Sequence, residues 1–384
     1  MAGSSSFPNH LPAPATGAVD LLIVAGEHSG DEHAARMLRG LLERKPGLRV
    51  CALGGPRLAA AGAQLLRDLT ASSAMGFAVL AKLSHYRALI AEIVRWVRVH
   101  RPRAVCFVDS SGLNLRIAQR LYDAGLSAKA GGPTKALYYI SPQIWASRPG
   151  RRIRMSRHLD GLAAIFPFEK GCYADTRLPV EFVGHPFVLP DYEPPVAFDP
   201  DGPVLLLPGS RRQVVARIFP VLLEAYRRSG TDRRAIVLYP SPEILEVLKA
   251  APPPADVELR PTGVGTVGAA AVLTASGTMS MHCALAGLPG ALVYITDPLT
   301  YGLGRLLVQV EQIGIANLLL GEPVYPEFIQ GAATPDVLGA QLRECLENPA
   351  RREQAAAQAA RLKALLAQPT NASAADWLAR QLGS

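Results

Sequence analysis

Short apolar runs, each followed by a turn and a helical stretch, recur along the chain, stop at a Pro-rich segment, and then start again. The first series is Leu21–Ala25 (LLIVA), 50–53, Ala104–Val108, 136–140, 162–166 and 180–183, with helical patterns at 32–44, 85–100 and 115–124. Four or five consecutive apolar residues bounded by turn residues suit strands buried on both faces, as in parallel sheets. Their alternation with helices predicts an α/β fold with a doubly wound sheet. Residues 190–203 (PDYEPPVAFDPDGP) read as a linker. After it come Val204–Leu207, Ala235–Tyr239, 257–259, 270–274 and 291–295.

The expected organisation is a disordered leader at 1–18, a first Rossmann-like domain at 19–189, the linker, and a second Rossmann-like domain at 204–350. A helical tail at 351–384, broken at Pro369, packs back on the first half or on a partner subunit. Two such halves predict a cleft between them in which ligands bind.

A net charge of +8 favours anionic partners: a nucleotide, a phospholipid surface or nucleic acid. Aromatic residues make up only 6% of the chain, too few to interleave with the basic ones, so no nucleic-acid partner is expected. Cys51, Cys106, Cys172, Cys283 and Cys345 form no CxxC pair, and the histidines show no HExxH spacing. No metal, cofactor or disulfide framework is expected. No apolar run approaches the roughly 18 residues of a membrane span, and 1–18 lacks the layout of a signal peptide. Membrane contact is therefore expected to be peripheral.

Four turns carry candidate chemistry. Residues 26–31 (GEHSGD) follow a strand but match neither GxGxxG nor a P-loop, and Asp31 reads equally as a helix cap. Asp109 directly follows an apolar strand, where it reads as a proton acceptor or as a cap. Gly209, Ser210 and Arg211 follow Val204–Leu207, with Ser210 expected to cap a helix from Gln213; Ser276, Gly277 and Thr278 repeat that arrangement. Backbone N–H groups at two such helix starts, with Arg211 beside them, suit a diphosphate. Arg148, Arg151, Arg152, Arg154 and Arg157 follow Trp145; with the amphipathic stretch 77–89 they suit lipid phosphates or a bilayer surface. His185 and His282 read as packed or hydrogen-bonded imidazoles.

At these residues the chain resembles the lipid A disaccharide synthases, inverting glycosyltransferases of the GT-B type, with two Rossmann-like domains facing a cleft. The resemblance rests on AGEHSGD (25–31), GGPR (54–57), Met75-Gly76, Asp109 with Asn114-Leu115, YISPQIW (139–145) and FPFEK (166–170). It continues through VGHP (183–186), LPGSRR (207–212), ASGT (275–278), PLTY (298–301), Asn317-Leu318 and PEFIQ (326–330). It implies transfer of 2,3-diacylglucosamine from UDP to 2,3-diacylglucosamine 1-phosphate through a β-1,6 linkage, without a metal. Asp109 becomes the general base, and Arg211 with Ser276–Thr278 neutralises the leaving diphosphate. His282, Asn317, Glu327 and Gln330 fall on the donor side; Glu27, Ser29, Asn114, Arg148 and Arg151 fall on the acceptor or phosphate side.

The implied partners are a UDP-diacylglucosamine donor, a lipid acceptor, an anionic membrane surface and a second subunit. The implied location is cytoplasmic, on the inner face of the inner membrane. Several family acids are replaced: Gly112, Val214 and His282 each stand where the family has an acid, and none follows Gly76. A basic pair beyond PLTY survives only as Arg305. Two alternatives remain: a GT-B paralogue that uses another nucleotide sugar or is catalytically impaired, and a peripheral binding protein without turnover.

Overall fold

The computed structural model describes residues 10–70, 79–190, 192–297 and 312–383. Met75-Gly76, PLTY (298–301) and Arg305 lie outside the described residues. The chain divides into two compact units, Met1–Pro186 with Pro369–Ser384, and Phe187–Gln368.

In the first unit, β1 (Leu21–Ala25), α1 (His28–Arg44), β2 (Val50–Gly54), α2 (Pro56–Ala60) and β3 (Gln64–Asp68) come first. They are followed by α3 (Val79–His100), β4 (Ala104–Val108), α4 (Ser111–Asp123), β5 (Lys135–Tyr139), α5 (Arg151–His158), β6 (Gly161–Ala164) and β7 (Val180–Phe182). The strands form one parallel sheet in the order β3-β2-β1-β4-β5-β6-β7. Every residue of β1, β2 and β4 is buried, as uninterrupted apolar runs require when helices cover both faces. Phe107, Tyr138, Ile117 and Ile93 lie in the core on one side of this sheet.

Two segments outside the alternation complete this unit. The expectation of a disordered leader fails for residues 10–18. Trp96 Nε1 donates to the Pro12 carbonyl (2.9 Å), Gln64 Nε2 donates to that of Ala13 (2.9 Å), and Leu11 is buried. Pro12 and Pro14 restrict the backbone to a path whose carbonyls meet these donors.

The last helix, Ala374–Leu382, also belongs to this unit. It buries Trp377 against Gly161, pairs Asp376 with Arg44, and accepts a bond from Lys135 Nζ at the Gln381 carbonyl (2.6 Å). Burial of the Trp377 ring contributes roughly 2–3 kcal/mol.

The second unit runs β8 (Val196–Phe198), β9 (Val204–Leu207), α6 (Arg212–Ser229), β10 (Ala235–Tyr239), α7 (Pro242–Lys249), β11 (Val257–Pro261), β12 (Val267–Ala269) and β13 (Ala271–Ala275). It continues with α8 (Thr278–Leu285), β14 (Gly290–Tyr294), α9 (Ile315–Leu320), β15 (Glu327–Ile329), α10 (Pro335–Glu347) and α11 (Pro349–Leu366). Its main sheet is parallel in the order β11-β10-β9-β13-β14-β15, with β8 and β12 as a separate pair. β8 thus lies inside the Pro-rich stretch. Gly339 lets α10 approach α6 closely, since a Cβ there would lie 2.9 Å from the Ala225 carbonyl oxygen.

The two main sheets share one winding. In each, the first strand lies between the second and the fourth of its series, so the order reverses between β1 and β4 and between β9 and β13. In open α/β sheets ligands bind outside the carboxyl ends of the strands at that reversal.

Candidate active site

At the reversal in the first unit, the turn after β1 touches the turn after β4. A Cβ on Gly26 would lie 2.9 Å from Ser110 Oγ, and one on Gly30 would lie 3.5 Å from the Val108 carbonyl oxygen and 3.8 Å from Asp109 Cβ. Asp109 and Ser110 both adopt left-handed backbone, with φ of 49° and 41°. Consecutive non-glycine residues there cost energy and persist only where the surroundings hold them. The holding contacts are visible. The Asp109 amide donates to the Tyr139 carbonyl (3.1 Å), and its own carbonyl accepts from Asn114 Nδ2 (2.9 Å) and from the Tyr138 hydroxyl. Asn114 is fully buried and also reaches the Val108 carbonyl (3.1 Å). These bonds fix the backbone of Asp109 and use neither oxygen of its carboxylate.

The AGEHSGD and GGPR segments form one structural unit. Helix α1 starts at His28, so the expected turn is mostly its first turn, with Glu27 exposed at the N-cap and Ser29 half-buried behind it. Asp31 caps a neighbouring helix instead of its own. Its buried carboxylate accepts from the amides of Gly55 (2.8 Å), Arg57 (3.0 Å) and Leu58 (3.2 Å), the start of α2. A Cβ on Gly55 would sit 2.6 Å from Asp31 Oδ2, so the glycine makes room for the carboxylate. The anion at this helix start is supplied by the chain itself.

Beyond β5 and β6, the YISPQIW and FPFEK loops meet. Trp145 packs edge-on against Phe166 and Phe168 at 5.9 and 5.2 Å, and Phe166 lies 5.1 Å from His185. Glu169 is 1% exposed and accepts from the amides of Ile165 (3.2 Å) and Phe166 (3.1 Å). Burial pushes its pKa up to about 7, against the pull of the Phe166 amide. The folded chain therefore holds this proton more tightly than the unfolded chain. The stability it contributes is present below pH 4.5 and is lost as pH rises to about 7. Relative to Glu169→Gln, the wild type should lose up to about 3 kcal/mol across that window. Urea titrations at several pH values read this directly, and parallel curves for the two proteins refute it.

In the second unit the reversal brings Gly209, with φ of 110°, against the end of β13. A Cβ there would touch Ala275 Cβ at 3.6 Å, besides being strained at that φ. Helix α6 begins at Arg212 with Arg211 as its N-cap, so the expectation that Ser210 caps a helix from Gln213 is corrected by one residue. Neither α6 nor α8 has a side-chain cap or an acid in its first turn. Ser210, Arg211, Gly277 and Thr278 are exposed beside these helix starts. His282 follows Thr278 by four residues and so shares its helix face. Its Nδ1 pairs with the Tyr192 hydroxyl, and the Phe187 ring packs tilted against it with ring centroids 3.9 Å apart.

The remaining donor-side residues spend polar groups on the backbone. Asn317 Oδ1 accepts from the amides of Val324 and Tyr325 (both 2.9 Å), while its Nδ2 donates to the Tyr325 carbonyl (2.7 Å) and to Glu327 Oε1 (2.8 Å). Glu327 accepts from the amides of Ile313 (2.8 Å) and Gly314 (2.8 Å), and Ser276 Oγ donates to the Ile313 carbonyl (3.3 Å). Gln330 clamps Thr296 through both its amide and its carbonyl, at 2.8 and 3.1 Å. Sequence reasoning missed Tyr138, Tyr192 and Phe187, because a hydroxyl or ring that supports another residue has no spacing of its own.

Among the described residues no group of His, Cys, Asp and Glu could hold a metal ion, and no helix is long and apolar enough to cross a membrane. The calicheamicin glycosyltransferase CalG4 aligns with a TM-score of 0.54 at 16% identity, over 95% of this chain and 98% of that one. The glycotransferase of kitacinnamycin aligns at 0.55 and 16%, over 95% and 99%. With two parallel sheets that each reverse their strand order, this is the GT-B architecture.

Sequence comparison narrows the class to one family. Residues 21–381 match the model of the lipid-A-disaccharide synthetase family. The lipid-A-disaccharide synthase of Geobacter metallireducens is 35% identical over 89% of this chain and 92% of its own, and that of Syntrophus aciditrophicus is 33% identical over 94% and 97%. The chain belongs to the lipid-A-disaccharide synthase family and is a glycosyltransferase.

Proposed function

We propose that the chain transfers 2,3-diacylglucosamine from its UDP derivative to 2,3-diacylglucosamine 1-phosphate, with inversion and a β-1,6 linkage, in lipid A biosynthesis. The observation that carries this reading is Asp109, held by backbone bonds at the reversal of the first sheet, where open α/β sheets place functional groups. Asp109 takes the proton of the acceptor 6-hydroxyl. The resulting oxygen attacks the anomeric carbon of the donor while that carbon's bond to the diphosphate breaks, which inverts the centre and releases UDP.

Charge grows on the leaving diphosphate. Arg211 and the amides that open α6 and α8 are suited to receive it, because helix starts without a resident acid favour an anion. Asn317, Glu327 and Ser276 act by holding the 313–314 backbone beside that seat. Acyl-chain substrates call for a bilayer. The exposed Arg154, Arg157 and Ile153 on α5 suit an anionic surface at the inner face of the inner membrane. Incubating purified protein with donor and acceptor and scoring UDP release tests the reaction. Absence of UDP across acyl-chain lengths rejects it.

A second reading is favoured by His282. An imidazole bonded to Tyr192 stands where the family carries an acid, which suits a donor other than UDP-diacylglucosamine. UDP or another nucleotide released only from other nucleotide sugars would establish that reading instead.

A further inference from the structure

Helix α5 carries two neighbouring arginines in contrasting situations. Arg152 is balanced, with three hydrogen bonds of 2.6–3.0 Å to the Asp175 carboxylate. Arg151 is half-buried, and among the described residues no carboxylate lies within ion-pair distance of it. Its contact is the Ser111 hydroxyl, with Nη1 3.4 Å from Oγ. Arg148 and Arg154 add like charge, and burial together with these two neighbours pushes the pKa of Arg151 down. A partly desolvated guanidinium among cations is costly until an anion completes it.

The surroundings of Ser111 leave room for that anion. The first turn of α4 contains no acid, and a Cβ on Gly112 would meet nothing within 4 Å. Ser111 is two residues from Asp109, and the Tyr138 hydroxyl feels the charge of both Asp109 and Arg151.

We propose that Arg151 and the Ser111 hydroxyl, backed by Arg148, hold the phosphate monoester of the acceptor sugar. This rests on the transfer reaction proposed above and adds to it a basis for choosing the acceptor. Donor and acceptor carry the same diacylglucosamine, and a seat for a terminal phosphate beside Asp109 selects the one whose 6-hydroxyl is to be deprotonated. Gly112 keeps that seat free of the negative charge an acid would bring.

Binding of glucosamine 1-phosphate to the full-length protein, read by calorimetry, tests the seat without turnover. Arg151→Gln should weaken binding roughly tenfold or more, Arg151→Lys should weaken it less, and Gly112→Asp should weaken it several-fold by repulsion. In kinetics, Arg151→Gln should raise KM for the phosphorylated acceptor and leave KM for its dephosphorylated form unchanged. Unaltered glucosamine 1-phosphate binding in Arg151→Gln overturns the proposal, as does an equal loss with both acceptors. Loss of binding to phosphatidylglycerol vesicles with sugar-phosphate binding intact also overturns it, by assigning the arginine to a lipid headgroup. If Arg151 governs sugar-phosphate binding but no UDP is ever released, the seat stands and the transfer reaction falls. Arg148→Gln, at an exposed position, repeats the test on a variant whose folding is not in question.

Discussion

Asp109→Asn lowers turnover by about 10²–10⁴-fold, the span that a positioned general base contributes, and leaves UDP affinity unchanged. The substitution suits the test because three neighbours hold residue 109 through its backbone. Tyr138 and Asn114 donate to the carbonyl, and Tyr139 accepts from the amide. An asparagine of the same shape keeps every one of them while losing the ability to accept a proton at neutral pH. Turnover, UDP calorimetry and the melting temperature should therefore separate, with only the first changing. Turnover within tenfold of wild type would remove Asp109 from the chemistry and leave it a turn residue.

Asp31→Ala has the largest expected effect on stability. Three amides at the start of α2 lose their acceptor at once in a buried setting, and each unsatisfied donor costs about 1–3 kcal/mol. Partial relaxation brings the total to about 4 kcal/mol, and at about 2–4 °C per kcal/mol for a unit of this size the first transition falls by about 8–16 °C. Asp31→Asn keeps one acceptor oxygen and turns an NH₂ toward the remaining amides, so it recovers only part of the loss. Differential scanning calorimetry of the two variants reads both effects. A shift below 2 °C for Asp31→Ala would show that water replaces the carboxylate at little cost.

The strands that position the chemistry were legible because a strand covered on both faces has to be apolar throughout. Leu21–Ala25 and Ala104–Val108 coincide with their apolar runs for that reason. At the sheet edge that requirement relaxes: β3 (QLLRD) buries only Leu66 and has no apolar run to betray it. The start of α1 escaped notice because its N-cap, Glu27, makes no side-chain cap, so Asp31 marked a false beginning. The site divides in the same way. Asp109, Gly209 and Ser276–Thr278 sit at strand ends that the pattern locates. Asn317, Glu327 and Gln330 looked like ligand contacts from sequence, yet their side chains brace backbone amides and carbonyls. A motif match gives the same signal for a residue that touches substrate and for one that holds a loop in place.

The return of the last helix to the first unit has a consequence for biosynthesis. The sheet of that unit is complete once residue 186 has left the ribosome, but Trp377, Leu378 and Leu382 arrive only after the whole second unit has been made. At about 5–20 residues per second the wait is roughly 10–40 s. During that interval the nascent chain carries an uncovered apolar strip between α1 and β6, a surface on which a ribosome-associated chaperone could act.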